Sequence, residues 1–370
     1  MSSIPFRVGV QQRILPVYRA PFFEALGASC EGGLSVFAGM PMPHEAIESR
    51  LNLKGAAVQP ANNLHLFRGA AYLCWQRGLL RWLEEWRPEV LIVEANPRLL
   101  SSSLAVGWMH RRRLPVIGWG LGAPQPSGRL ASVRGFFRKR FYCQFDAMIA
   151  YSTQGAEQYI RLGMRKERVY TAVNAAVPRP ASAFPRRLEL DPGRPPVILF
   201  VGRLVEQKRV DRLIRSCAGL GSIRPQLWIV GDGPKKEELQ ALARRLYPST
   251  SFWGAVYGEE LDSFFDRADL FVLPGTGGLA VQQAMSHGLP VIVAEADGTQ
   301  ADLVRPQNGW IVPGGDGESL TLILRQALAD ADRLRQMGAE SFRLVQDEVN
   351  LENMVDVFAR AIFDVKQDRR

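Results

Sequence analysis

The chain has 370 residues, too many for one ordinary core and enough for two domains of roughly 150 to 200 residues each. With 46% hydrophobic and 22% charged residues it reads as a globular protein, which excludes wholesale disorder and a fibrous fold. The net charge of +9 suits a phosphorylated substrate, an anionic membrane surface or nucleic acid, and chooses none of them.

Cys30, Cys74, Cys143 and Cys217 stand far apart, so neither a disulfide framework nor a zinc-binding CxxC pair is expected, and a reducing, cytoplasmic setting follows. The opening MSSIPFRVGVQQR lacks a charged start leading into a long apolar run. No stretch of about 18 apolar residues occurs elsewhere, so the expectation is no signal peptide and no membrane span.

In chain order, the first half alternates short apolar runs with helix-like segments: FRVGV, EVLIVEAN (89–96), LPVIGWG (114–120), FDAMIAYS (145–152) and RVYTAVNA (168–175). Runs of this length, rich in Val and Ile, suit parallel strands buried on both faces. Residues 178–196 then crowd Pro, Arg and Gly together without periodicity, as an exposed connection does. The pattern restarts with PVILFVGRL (196–204), QLWIVGDG (226–233), TSFWGAV (250–256), ADLFVLPG (268–275), LPVIVAEA (289–296) and NGWIVPGG (308–315). Apolar stripes mark the helices between them, Val210, Leu213, Ile214 and Cys217 in one, Leu239, Leu242, Ala243 and Leu246 in the next. A final helix carries Val355, Phe358, Ala359 and Ile362 at helical spacing. The expected fold class is α/β, with Rossmann-like domains over 1–180 and 196–350, a linker over 181–195, and a helix over 351–370 able to pack back on the first domain. Two such domains facing each other bring the carboxyl ends of both sheets to one cleft.

The densest chemistry lies in Val201-Gly202-Arg203-Leu204-Val205-Glu206-Gln207-Lys208. A strand ending in a small residue, with an Arg and a Lys flanking a helix opening, suits a diphosphate: backbone N–H groups donate and two cations neutralise. Glycine-bearing turns recur after the next strand (Gly231-Asp232-Gly233) and after the fourth (Gly275-Thr276-Gly277-Gly278-Leu279), and Gly288 enters the fifth.

The stretches VGRLVEQKRVD, IVGDGP, LFVLPGTGGLAVQQAMSHGLPVIVA and DGTQADLVRPQNGWIVPGGD resemble, in order and spacing, the C-terminal domain of the retaining GT-B glycosyltransferases of family 4. The first half is similar more loosely, through IVEANPRLLSS, FDAMIAYSTQGAEQYIRLGM and VYTAVNAAV. The resemblance implies a GT-B fold, a nucleotide-sugar donor on the C-terminal domain, a glycan or lipid-linked acceptor on the N-terminal domain, a role in cell-surface polysaccharide assembly, no cofactor and no obligatory metal. By position, Arg203 and Lys208 would be the catalytic diphosphate-binding pair. Gly202, Gly231, Gly275, Thr276, Gly277, Gly278 and Leu279 would border the donor, as would Trp253, Gly254 and Ala255 near its base.

Three positions depart from the family. Its two glutamates, one near the transferred sugar and one on the donor ribose, are replaced by Gly275 and Gln283, and a histidine facing the sugar is replaced by Leu121. Gln283 still offers a hydrogen bond to a ribose hydroxyl, whereas Gly275 offers only backbone. The departures keep open a second reading, a catalytically degenerate sugar-nucleotide-binding partner subunit. A sugar-nucleotide epimerase on the same plan and a nucleic-acid-binding protein rank lower, the latter resting on net charge alone, so no nucleic acid is expected.

On the first domain, Glu94 is a candidate acceptor or sugar contact, against a salt-bridged strand-end carboxylate, and Arg13 a contact for an anionic acceptor, against a solvated loop cation. Asp297 follows a strand near the expected sugar pocket, where it equally suits a turn. His44, His65, His110 and His287 show no metal-ligand spacing, and Asp330-Ala331-Asp332 sits in a helical pattern. The segment 129–142 mixes cations with Leu, Val, Phe and Tyr, which suits either peripheral contact with an anionic membrane or an ordinary surface helix.

Overall fold

The computed structural model describes residues 3–42, 45, 47–126, 128, 131–181, 184–185, 194–314 and 317–368. Most of the expected linker 181–195, with His44, Arg129 and Leu130, lies outside the described residues. The chain divides into two compact units, Met1–Ala176 joined by Leu351–Arg370, and Val177–Asn350.

The first unit opens with β1 (Val8–Ile14), α1 (Ala20–Ser29), β2 (Leu34–Gly39), β3 (Ala57–Leu66) and β4 (Leu73–Arg77). It continues through α2 (Leu79–Trp86), β5 (Val90–Glu94), α3 (Leu100–Arg111) and β6 (Val116–Gly120). It then forms α4 (Ala131–Tyr142), β7 (Ala147–Ala150), α5 (Thr153–Arg161) and β8 (Val169–Thr171). Its eight strands run in the order β4-β3-β2-β1-β5-β6-β7-β8, parallel except for the β3–β4 pair. Alternation sorts the central strands onto two cores. Val10, Ile92, Ile117 and Ile149 join Phe22 and Phe23 of α1, while Leu91, Val93, Val116 and Met148 join residues of α2, α3 and α5. The run of three strands β2 to β4 was not expected. Only β2 is fully buried; β3 is polar and half-exposed, so no apolar period announces it.

The second unit contains β9 (Val197–Val201), α6 (Val210–Ala218), β10 (Gln226–Val230), α7 (Lys236–Leu246) and β11 (Thr250–Gly254). It follows with α8 (Gly258–Arg267), β12 (Leu270–Leu273), α9 (Leu279–Ser286), β13 (Val291–Ala294) and α10 (Gln300–Leu303). It closes with β14 (Gly309–Val312), α11 (Gly317–Leu328) and α12 (Ala331–Asp347). Its six strands are all parallel, in the doubly wound order β11-β10-β9-β12-β13-β14. The stripe Val210, Leu213, Ile214 and Cys217 is buried on α6, which packs beside α11.

The last helix, α13 (Leu351–Gln367), belongs to the first unit. Val355, Phe358, Ala359 and Ile362 are buried there, with the Phe358 ring 4.8 Å from Phe22 and 5.0 Å from Trp119. Emptying such a site by Phe358→Ala is expected to cost about 3 to 5 kcal/mol.

In each sheet the strand order reverses once, between β1 and β5 in the first and between β9 and β12 in the second. The crevice outside the carboxyl ends at such a reversal is where open α/β sheets bind ligands.

Candidate active site

In the second unit, β9 ends at Val201 and the chain turns at Gly202, whose N–H donates to the Val230 carbonyl at 3.0 Å. The next strand turns at Gly231, where any Cβ would collide with the Gly202 carbonyl oxygen. Glycine is required there by backbone packing. Glu206–Lys208 forms a single 3-10 turn, Arg209 takes a left-handed φ of 52°, and α6 begins only at Val210. Arg203 and Lys208 therefore both precede the helix, which corrects the expectation that they flank its opening.

Lys208 is the centre of this corner. Its Nζ donates to the Thr276 carbonyl at 2.5 Å, and the Thr276 N–H donates back to the Gln207 carbonyl at 3.0 Å, so the loops after β9 and β12 are fastened together across the reversal. Burial lowers the pKa of Lys208, and the charge of Asp297 opposes that shift. Arg203 is half-buried on the same loop.

The β12 loop shows why Gly275 carries no side chain. A Cβ there would meet the Gln207 carbonyl and stand 2.6 Å from the Lys208 carbonyl carbon and 2.8 Å from its Cα. Gly277 passes so close to Lys208 Nζ that a side chain would displace the ammonium. Gly278 is the N-cap of α9 and offers no capping side chain, so the N–H groups over Leu279 begin the helix without a side-chain acceptor from that position. Cation, tight glycine loop and helix start converge on one corner suited to an oxyanion. Gly288, by contrast, lies before β13, at the amino end of that strand and so opposite the carboxyl ends that carry these loops.

The remaining donor candidates lie farther along the rim. Trp253 is half-exposed at the end of β11, its ring 5.2 Å from Phe264 and 6.1 Å from Trp228. Gly254 follows at φ 75° and accepts the Gly231 N–H at 2.6 Å, and Ala255 is exposed beyond it. On α9, Gln283 Nε2 donates to Asp262 Oδ1 at 3.3 Å, and His287 bonds Asp266 at 2.7 Å. Asp297 uses Oδ1 to accept from Thr299 N–H (3.2 Å), Thr299 Oγ1 (2.6 Å) and Gln300 Nε2 (3.0 Å), the turn-forming role. Asp330 caps α12 by accepting the Arg333 N–H at 2.9 Å, a structural role for the first residue of Asp330-Ala331-Asp332.

In the first unit, Arg13 lies inside β1, not in a loop, and its side chain is only 16% exposed. Its guanidinium donates to both carboxylate oxygens of Glu45, at 2.9 and 2.8 Å. Burial alone pushes the Glu45 carboxyl up, but hydrogen bonds from Arg13 and the Met42 N–H outweigh it and hold the pKa below its ordinary value. Glu94, the last residue of β5, accepts the Arg13 backbone N–H at 2.8 Å. A cavity of about 650 Å3 opens here, lined by Arg13, Arg68 and Arg98 with Glu45, Tyr72 and Asn96 among others. Burial pushes Tyr72 up to about 12, so its hydroxyl keeps its proton near neutral pH. A second cavity of about 380 Å3 shares Asn96 and Arg98 and adds Glu94, Leu121 and Tyr151. Leu121 is 46% exposed and brings an apolar side chain to this cavity. Glu45, Arg68, Tyr72 and Arg98 escaped the sequence reading because they stand at or beyond strand ends without any spacing pattern.

Helix α4 divides its aromatics. Tyr142 is buried and Phe141 packs against Phe145 at 5.3 Å, but Phe136 and Phe137 are 66% and 65% exposed beside Val133, Lys139 and Arg140. Among the described residues, no helix is long and apolar enough to cross a membrane.

Residues 37–175 match the family described as Glycosyl transferase 4-like domain, and residues 185–343 match Glycosyl transferases group 1. The lipopolysaccharide core biosynthesis glycosyltransferase LpsE of Rhizobium meliloti is 24% identical over 311 residues, covering 78% of this chain and 90% of that protein. A GDP-mannose-dependent alpha-mannosyltransferase of Mycobacterium tuberculosis is 31% identical over 262 residues, 65% of this chain and 64% of its own. Among solved structures, the apo form of the lipopolysaccharide outer core galactosyltransferase WaaB superposes with a TM-score of 0.69 at 18% identity, covering 97% of this chain and 99% of that one. Anabaena HepE in complex with UDP superposes at 0.70 and 14% identity, covering 97% and 100%. These two likenesses establish the GT-B fold. With both domain matches in the same order along the chain, it belongs to the group 1, family 4-type glycosyltransferases.

Proposed function

We propose that this glycosyltransferase takes a sugar from a nucleoside diphosphate carrier held by the second unit and passes it, with retention, to a glycan or lipid-linked acceptor held by the first. The observation that carries this reading is the fastening of Lys208 into the glycine loop after β12, at the reversal of the sheet. In the reaction the bond from sugar C1 to the β-phosphate oxygen breaks, the acceptor oxygen bonds to C1, and its proton passes to the departing diphosphate. Negative charge grows on that leaving group, and Lys208, Arg203 and the start of α9 are placed to stabilise it, so the missing carboxylate at 275 does not stop the chemistry. Trp253, Gly254 and Ala255 border the base, and Gln283 serves the ribose. Arg13 and Glu94 belong to the acceptor side, where Arg68 and Arg98 favour an anionic acceptor.

A relative named for lipopolysaccharide core biosynthesis supports a role in cell-surface polysaccharide assembly. A thermal-shift screen against UDP-, GDP-, ADP- and dTDP-sugars tests donor binding, because a ligand held only by the folded state raises its melting temperature. A rise with one base is expected, and no rise with any would contradict the reading. The transfer proceeds without a divalent metal, so activity survives EDTA. Product formation by the purified chain separates this account from the degenerate-subunit reading, which predicts affinity without turnover.

The exposed Phe136 and Phe137 among cations support a peripheral position on an anionic membrane, at its cytoplasmic face. Flotation with phosphatidylglycerol vesicles and not with neutral phosphatidylcholine vesicles is expected.

A further inference from the structure

The donor corner holds its diphosphate with cations and backbone, but a transferred hexose also presents hydroxyl groups that need acceptors. Gly275 supplies no side-chain acceptor, and its backbone is pressed against Gln207 and Lys208 so closely that no side chain fits. One carboxylate nonetheless acts on this corner. Asp297 follows β13, the strand next to β12, and its negative charge is the one felt by Lys208. A continuous bonded path joins it to the corner: Gln300 Nε2 donates both to Asp297 Oδ1 at 3.0 Å and to the Gly277 carbonyl at 2.9 Å, and Thr276, one residue earlier, accepts from Lys208.

Those bonds all fall on one oxygen. Oδ1 takes the two Thr299 donors and Gln300, which fixes the carboxylate in place, whereas Oδ2 receives no hydrogen bond among the described residues, and the residue is exposed. A carboxylate locked by one oxygen and open at the other is preorganised to accept a charge-assisted hydrogen bond. Resting on the donor reading above, we propose that Asp297 binds a hydroxyl of the transferred sugar, replacing the carboxylate that position 275 lacks. Its role is recognition and positioning of the sugar; the diphosphate remains with Arg203 and Lys208.

The test is calorimetric titration of the full chain with UDP, UDP-glucose, GDP and GDP-mannose, comparing wild type with Asp297→Asn. Asparagine keeps an acceptor for Thr299 and Gln300, so the turn survives, and a melting curve checks that it does. For whichever base binds, the variant is expected to hold the free nucleoside diphosphate within about twofold of wild type. Its affinity for the sugar nucleotide should fall about tenfold or more, the scale of a hydrogen bond to a charged group. Equal losses for both ligands would overturn the proposal by assigning Asp297 to the diphosphate or the fold. No loss for either would overturn it as well. Binding of none of the four by wild type, together with no thermal shift from the ADP- and dTDP-sugars, would overturn the donor reading, and this inference with it. Asp297→Glu gives a second check, since it restores charge at a shifted position and should change the preference between donor sugars, not the affinity for free diphosphate.

Discussion

The two sheets reverse strand order once each, and the cations placed at the two reversals are held in opposite ways. Arg13, beside β5, spends its guanidinium on both oxygens of Glu45, while Glu94 secures its backbone. Lys208, beside β12, has no carboxylate in hydrogen-bond contact among the described residues and donates only to the neutral Thr276 carbonyl. A buried charge that has its partner is costly to unpair, whereas a half-buried ammonium resting on a carbonyl keeps its charge available at a cost in stability. The first reversal ties its cation to a carboxylate, and the second leaves its cation open to the diphosphate proposed above.

The sharpest way to break that contrast is to exchange Lys208. Lys208→Met should lower the transfer rate by about 10²- to 10³-fold, the usual loss when one donor to a developing oxyanion is removed. The same variant should melt no lower than wild type near neutral pH. A lysine whose folded pKa lies below the unfolded value of 10.5 is a net cost while charged, and that cost fades as pH rises through the depressed value. A melting series from pH 6 to pH 10 checks the sign.

At the other reversal the outcome should invert. Glu45→Ala leaves a mostly buried guanidinium without its partner and should cost about 2 kcal/mol in urea unfolding, with the double variant Arg13→Ala and Glu45→Ala recovering part of it. Because the folded pKa of Glu45 is depressed, its contribution is present above the ordinary value of 4.5 and is lost as pH falls through the lower folded value. A wild type whose acid unfolding matched that of the Glu45→Ala variant would remove the claim.

Adding a methyl group at position 275 should have a smaller effect. Gly275→Ala should cost about 1 to 3 kcal/mol by overpacking and should weaken nucleotide binding together with stability, since the loop carrying Lys208 must move. The smallest change in stability, under about 0.5 kcal/mol, is expected for Phe136→Ser with Phe137→Ser, which should nonetheless abolish flotation with anionic vesicles.

Much of this was legible in the chain itself, for physical reasons. Buried parallel strands such as 197–201 and 270–273 must be continuous apolar runs, and the turns after them must be glycine where backbones touch, as Gly231 and Gly275 do. The polar strand 57–66 carried no period, because its side chains are half-solvated and its pairing is set by neighbours in space. Local pattern also misplaced the start of α6, since the 3-10 turn at Glu206–Lys208 looks like a helix until Arg209 turns left-handed. Glu45 could not be anticipated: what makes it matter is contact with Arg13 across 32 residues of chain, which no spacing rule encodes.

On the proposed reading, Lys208 and the glycine loop after β12 hold the second phosphate of the carrier. Titrating wild type and Lys208→Met with the nucleoside monophosphate and diphosphate of the preferred base measures this directly. Wild type should prefer the diphosphate by tenfold or more, and the variant should bind the two almost equally. An undiminished preference in the variant would place the diphosphate elsewhere and contradict the account.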